Sequence, residues 1–305
     1  MAGRLSTTPP TGVAGENPAV RWRAWALDLD GVIWRGRRTI PGAPEAVARL
    51  RRRGDRVVFV TNNSARTPVQ VVETLAAHRV TAGVDEVVTS SLAAATLIRP
   101  GETVLVVGGP GVRAAVAGAG AEVVDAVALA RAGTRRAPTC DAVVVGITPD
   151  FDYAVLTLAL GAVDAGARLI ATNDDPTFPV ADGIAPGNGA LVAAVERATG
   201  RRAVVAGKPH EAMAVLVRAA LGAPPAGEPA TSGSEATTPI PGAVMVGDRP
   251  DTDGLFARRA GLAFALVLSG VTTASDLPVE PQPDVVAADL AGVVESAVGD
   301  HAGDP

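Results

Sequence analysis

Short apolar runs rich in Val, Ala and Leu recur along this chain, with longer segments of helical spacing between them. The runs are Trp25–Leu29, Arg56–Val60, Thr103–Val107, Ala142–Val145, Arg168–Ala171, Ala203–Ala206, Ala243–Val246 and Ala263–Leu268. Between them lie Pro44–Arg53, Pro68–His78, Phe151–Ala165, Gly189–Thr199, His210–Leu221 and Thr252–Ala260. A strand that is apolar along its whole length has no solvent face, so both faces of its sheet must be covered. Such strands alternating with helices predict an α/β fold with doubly wound parallel sheets. In sheets of this kind ligands bind outside the carboxyl ends of the strands. The residues directly after each run therefore carry the functional argument.

At 305 residues the chain is long enough for two domains. It is 48% hydrophobic and 19% charged, ordinary globular usage, which excludes a wholly disordered chain. Its single cysteine, Cys140, excludes a disulfide framework or a Cys-rich zinc module. His78, His210 and His301 are too scattered to suggest a His-based metal site. A net charge of −5 disfavours nucleic acid as a partner. No apolar run approaches the roughly 18 residues of a membrane span. Residues 1–20 are Gly/Pro/Thr-rich, lack the apolar core of a signal peptide, and are expected to be a loose tail. The resulting expectation is a cytoplasmic protein with no membrane partner. Pro224–Pro241, PPAGEPATSGSEATTPIP, is low in complexity and is expected as a mobile loop, with Gly299–Pro305 a second loose end.

Four polar clusters follow apolar runs directly. Asp28-Leu29-Asp30-Gly31 places two carboxylates two residues apart where the first run ends, with a glycine that permits a turn. Carboxylates held that close need a cation between them or a proton on one. Mg²⁺ suits an oxygen-only site, and a carboxylate can attack phosphorus to form an aspartyl-phosphate. The plainer reading is an acidic turn. Thr61-Asn62-Asn63-Ser64 supplies hydroxyl, amide and backbone N–H groups for phosphate oxygens, or else a turn and cap for the helix at Pro68. Gly207-Lys208-Pro209 holds the one lysine among 27 Lys plus Arg. In a chain drifted toward arginine, a surviving lysine points to a site that needs a compact point charge. Gly247-Asp248-Arg249-Pro250-Asp251-Thr252-Asp253 follows another buried run. Asp251 and Asp253 suit a helix N-terminus, but Asp248 after a buried strand needs a partner.

Together, in this order, the clusters resemble the haloacid dehalogenase-like (HAD) hydrolase superfamily. The closer resemblance is to its class IIA branch, the NagD-like phosphatases, through DLDGVIWRG, FVTNNSAR, ATNDDPTFP, PGNGALVAA, AGKP and VGDRPDTD. The resemblance spans about Trp25 to Thr272. It implies a Mg²⁺-dependent phosphatase acting on phosphomonoesters of small metabolites, such as glycerol 3-phosphate or 2-phosphoglycolate. Asp28 is then the nucleophile and Asp30 the acid/base. Thr61, Asn62 and Lys208 bind phosphate. Asp28, the Asp30 carbonyl and Asp248 hold the metal, with Asp253 behind them. It also implies a Rossmann-like core over 21–83 and 183–298, with an α/β cap over 84–182 inserted between the second and third clusters. Relatives often dimerise through the cap, so a homodimer is among the expectations, although nothing in the residues decides it. Trp34 is expected in a flap beside the site.

Two rival readings stand beside this one. Gly109-Pro110-Gly111 begins a G-x-G-x-x-A pattern ending at Ala114, and Asp125 follows, so a NAD-binding oxidoreductase is one alternative. The other is an idle relative that binds a phosphate ligand without turning it over.

Overall fold

A computed structural model describes residues 22–180, 183–223 and 238–298. The expected tails and most of the 224–241 loop lie outside these residues. The strands in chain order are β1 (Ala24–Leu27), β2 (Trp34–Arg35), β3 (Arg38–Thr39), β4 (Arg56–Thr61), β5 (Val87–Thr89), β6 (Thr103–Val107), β7 (Glu122–Asp125), β8 (Ala142–Val145), β9 (Arg168–Ala171), β10 (Thr177–Val180), β11 (Gly183–Pro186), β12 (Val204–Val205), β13 (Ala243–Gly247), β14 (Ala263–Val267) and β15 (Val285–Ala287). The helices are α1 (Ala43–Arg52), α2 (Pro68–Ala77), α3 (Ser90–Ala95), α4 (Pro110–Gly118), α5 (Ala126–Arg131), α6 (Tyr153–Asp164), α7 (Asn188–Thr199), α8 (Glu211–Ala220), α9 (Leu255–Ala260) and α10 (Leu290–Val298). None of them is long and apolar enough to cross a membrane.

Two parallel sheets result, as the apolar runs predict. The first has the order β15-β14-β13-β1-β4-β5, the second β12-β9-β8-β6-β7. Strand order reverses about β1: the chain moves out through β4 and β5 on one side and returns through β13, β14 and β15 on the other. That reversal opens a crevice at the carboxyl end of β1, where α/β sheets bind ligands.

Three apolar clusters hold the layers together. Trp25, Leu27, Phe59, Val244 and Val246 pack with α1, α2 and α10 on one face of the first sheet. Burial of each large side chain contributes roughly 1.5–3 kcal/mol. The buried Trp25 indole keeps its N–H satisfied by Asp55 Oδ2 at 3.2 Å. The opposite face, with Ala26, Val58 and Val60, shares a cluster with Val104, Val106 and Val144 of the second sheet through α3, α4 and α8. α5, α6 and α7 cover the outer face of the second sheet.

The expected boundaries at 84 and 182 need correction. β5 lies inside the expected cap yet pairs with β4 in the first sheet, from Phe59↔Val87 to Thr61↔Thr89. α7 and β12 lie beyond it yet belong to the second sheet: Leu191, Val192 and Val195 pack on α6 and its neighbours, and Val204 and Val205 pair with Ile170 and Ala171. Sheet membership is a long-range choice between partners with equally apolar local sequences. At the end of α1, Arg51 and Arg53 are half-buried while Arg52 is exposed. Arg51 grips Glu86 with both terminal nitrogens, at 2.9 and 2.6 Å, and Arg53 reaches the Trp22 carbonyl at 3.2 Å.

Candidate active site

β1 and its neighbours deliver the polar groups to one point. The Asp28 N–H continues the ladder to the Val246 carbonyl at 2.9 Å, so Asp28 and Asp248 emerge side by side from β1 and β13. Gly31 turns the chain away at φ +86°, and a Cβ there would overlap the Asp248 carboxylate. A Cβ on Gly270 would overlap the same Asp248 carboxylate, and the Val271 N–H donates to Asp248 Oδ2 at 2.6 Å. Neither Gly270 nor Val271 stood out in the sequence, because one glycine among 34 carries no local signal.

Lys208 lies at the centre, 2% exposed. Its Nζ donates to Asp28 Oδ1 at 2.6 Å and to Asp253 Oδ1 at 2.7 Å. The other oxygen of Asp253 accepts the N–H groups of Asp248 and Arg249, both at 3.1 Å. Asp253 was expected in the first turn of a helix starting at Thr252. It lies instead on a π-helical turn, Pro250–Gly254, that precedes α9. The wider turn aims its carboxylate inward, and it is 1% exposed.

Asp28, Asp248 and Asp253 each offer an oxygen within 4.8 Å of the others. Burial raises the Asp28 carboxyl well above its ordinary range, against the pull of Lys208, with Asp253 and Asp248 adding repulsion. Burial and Asp253 push Asp248 up to about 7. Burial alone would lower the Lys208 ammonium, but Asp253 and Asp28 more than reverse this and hold it charged. One ammonium among three carboxylates leaves negative charge uncompensated in a dry site. Asp253 already has both oxygens engaged, so Asp28 and Asp248 are the carboxylates left for a cation. Hard oxygen donors with excess negative charge fit Mg²⁺.

Asp30 lies on the open side. The residue is solvent-exposed, yet the groups packed around its carboxyl strip enough water from it to raise it above the usual range. Trp34, on the β2–β3 hairpin, donates its indole N–H to Asp30 Oδ1 at 2.9 Å.

Thr61 ends β4, 3% exposed, with its hydroxyl accepting the Asn63 N–H at 3.1 Å. Asn62 is expected to bind phosphate, and its side chain has a second task. It clamps the lysine loop: Oδ1 accepts the Lys208 N–H at 2.8 Å, and Nδ2 donates to the Lys208 carbonyl and to Asp175 Oδ2, both at 3.0 Å. The loop after β4 is also the seam between the sheets. Ser64 Oγ accepts the Ile147 N–H at 3.0 Å, and Asn173 Nδ2 donates to the Asn62 carbonyl at 2.6 Å. His210, at the N-cap position of α8, meets Asp174 at 3.0 Å across that seam. Asn173 and Asp175 were missed as site residues because their partners lie more than a hundred positions away.

The glycine turn of the NAD alternative is covered. The Gly111 N–H donates to the Ala65 carbonyl at 3.0 Å, and a Cβ on Gly111 would strike the Ser64 and Arg66 carbonyls. Asp125, the would-be ribose ligand, caps α5 through the Val127 and Ala128 N–H groups and pairs with Arg113 at 3.2 Å. The start of α4 is thus docked on protein where a pyrophosphate would need to lie.

Residues 25–122 match a family model described as haloacid dehalogenase-like hydrolase, and residues 205–293 match a second, HAD-hydrolase-like model. Human chronophin is 38% identical over 259 residues, covering 81% of each chain. An acid sugar phosphatase of Staphylococcus epidermidis is 34% identical, over 84% of this chain and 90% of the relative. The magnesium-bound structure of a glycerol phosphate phosphatase from Mycobacterium tuberculosis superposes with a TM-score of 0.75 at 35% identity, covering 90% of this chain and 77% of its own. With the nest of Asp28, Lys208, Asp248 and Asp253 at the strand ends and these likenesses across most of its length, the chain belongs to the haloacid dehalogenase-like hydrolases, in their class IIA, NagD-like branch.

Proposed function

We propose that this site hydrolyses phosphomonoesters of small metabolites in two steps, with Asp28 as the attacking group. The observation that carries the reading is the Asp28 carboxylate gripped by a buried Lys208 at 2.6 Å beside Asp248. Lys208 holds Asp28 in one orientation and compensates charge on the incoming phosphoryl oxygens. Asp28 attacks phosphorus, the P–O bond to the alcohol breaks, and the departing oxygen takes a proton from Asp30. A water then attacks the aspartyl-phosphate, giving its proton to Asp30, and phosphate leaves as the Asp28 carboxylate re-forms. The Thr61 hydroxyl and the Asn62 backbone N–H face phosphoryl oxygens, while the Asn62 side chain keeps Lys208 in place. Asp28, the Asp30 carbonyl and Asp248 would hold Mg²⁺, which supplies positive charge to the transferring phosphoryl group when bound. The second sheet presents its carboxyl ends to the same seam and acts as the lid that excludes water. Glycerol 3-phosphate and 2-phosphoglycolate are the first esters to try, the former because the mycobacterial relative is a glycerol phosphate phosphatase.

The test is phosphate release from p-nitrophenyl phosphate and from these two esters, with Mg²⁺ and with EDTA, for the wild type and Asp28→Asn. Turnover that needs Mg²⁺ and falls at least a thousandfold in the folded variant is expected, since a lost nucleophile costs on that order. Near-normal turnover in Asp28→Asn would overturn the mechanism.

A further inference from the structure

We propose that Trp34 is a positioning residue for the acid/base carboxylate: its indole N–H pins Asp30 Oδ1 and thereby presents Oδ2 to the departing alcohol oxygen. The inference rests on the assignment of Asp30 above.

A carboxylate at the mouth of a cleft is free to rotate, because its terminal torsion is broad and nearly two-fold. Asp30 is exposed there, and its Oδ2 makes no hydrogen bond among the described residues. Its Oδ1 is held by the indole at 2.9 Å. The indole in turn is locked. The Gly31 N–H donates to the Trp34 carbonyl at 2.6 Å, and the Trp34 N–H returns to the Leu29 carbonyl at 3.2 Å, folding Trp34 back over Asp30. The ring stacks on His78 with centroids 4.9 Å apart and planes at 24°. His78 is fixed by Thr39, opposite Trp34 on the hairpin, through Oγ1 and Nδ1 at 2.8 Å. Trp34 is only 7% exposed, so the indole serves Asp30 rather than offering a surface to substrate.

An N–H facing Oδ1 also decides where a proton can sit. Indole nitrogen donates and cannot accept, so a protonated Asp30 carries its proton on Oδ2. That oxygen makes no hydrogen bond among the described residues, so it is the one left to serve the leaving group. As phosphorus transfers to Asp28 and the ester P–O bond breaks, the Oδ2 proton passes to the departing oxygen and Asp30 is left as the carboxylate. The benefit scales with the basicity of the leaving group. An alkoxide needs the proton, whereas p-nitrophenolate departs almost without it.

The experiment compares kcat/KM, which reports steps up to phosphoryl transfer, for an alkyl ester (glycerol 3-phosphate) and for p-nitrophenyl phosphate. Trp34→Phe keeps the stack on His78 and removes the N–H. The alkyl ester is expected to lose on the order of tenfold to a hundredfold, within the usual range for general acid catalysis. The aryl ester is expected to lose only about threefold or less, a residual set by the minor acid assistance it receives. Asp30→Asn should show the same selectivity more strongly, and Asp28→Asn should abolish both activities. Equal loss on both esters, or no loss, in Trp34→Phe overturns the proposal while leaving the parent mechanism intact. Unselective behaviour of Asp30→Asn overturns the parent assignment instead. If Trp34→Phe does not fold, benzothienyl-alanine incorporated at position 34 alone keeps the bicyclic shape without the N–H, and the same two outcomes decide.

Discussion

Lys208 shows how much a single side chain can decide. Its ammonium fits between Asp28 Oδ1 at 2.6 Å and Asp253 Oδ1 at 2.7 Å in a space closed to solvent. A guanidinium is planar and wider and cannot occupy a point-charge position. Lys208→Arg is therefore expected to lower kcat/KM on p-nitrophenyl phosphate by on the order of a hundredfold or more, comparable to removing one preorganised donor. Lys208→Met should also destabilise the metal-free fold by about 3–5 kcal/mol, because it strands buried carboxylates. Steady-state kinetics and urea unfolding check the two effects; an active Lys208→Arg would contradict the fit. The lysine was legible in the sequence through composition, as the one exception to a chain-wide use of arginine, and through its place directly after an apolar run. Its second partner, Asp253, has the local look of a helix-end charge and is brought to the site only by the resemblance, since nothing local announces a π-helical turn.

Among the elements, α4 shows a sequence pattern that leaves two readings open until its partner is known. Its glycine-rich start has the look of a dinucleotide turn, yet the glycines are there so that backbone can meet backbone. Gly111 lies against Ser64 and Arg66, within the loop that carries Thr61 and Asn62. Gly111→Val should force that loop away and destabilise the fold by roughly 1–3 kcal/mol, the usual range for overpacking. Activity should fall with it, because the loop also holds the Lys208 backbone through Asn62. Urea unfolding and phosphatase assays check both; a neutral variant would show that the docking is dispensable. α2 is the opposite case. Thr67 and Gln70 form a capping box with Pro68 at the first turn, and the sequence T-P-V-Q states this locally.

At the scale of the whole molecule, folding forces three carboxylates and one ammonium together at the meeting point of β1 and β13. Asp248, raised to about 7, keeps in the folded state a proton that the unfolded chain releases near its ordinary pKa of about 3.9. The folded state thus binds more protons across that window, so metal-free stability falls as pH rises from about 4 to about 7 and then levels off. Asp28 acts in the same direction. Mg²⁺ competes with those protons and should stabilise the chain by mass action, about 2.7 kcal/mol at a hundred times its Kd. The rise in Tm on adding Mg²⁺ is expected to be larger near pH 8 than near about pH 5.5. A rise independent of pH, or larger in acid, would contradict Asp28 and Asp248 as the cation's carboxylates.

The sequence by itself determined the α/β class and singled out Asp28, Asp30, Lys208 and Asp248 as candidate site residues at the ends of apolar runs, because those signals lie in residue type and in what stands within a few positions. Only the tertiary structure decided which sheet β5, α7 and β12 join, that Asn62 clamps the lysine loop, and that Gly270 and Val271 close on Asp248. Those are choices among partners far apart along the chain. A parallel sheet pairs such segments through backbone groups that every residue carries, so side-chain pattern cannot encode the choice until the chain has packed.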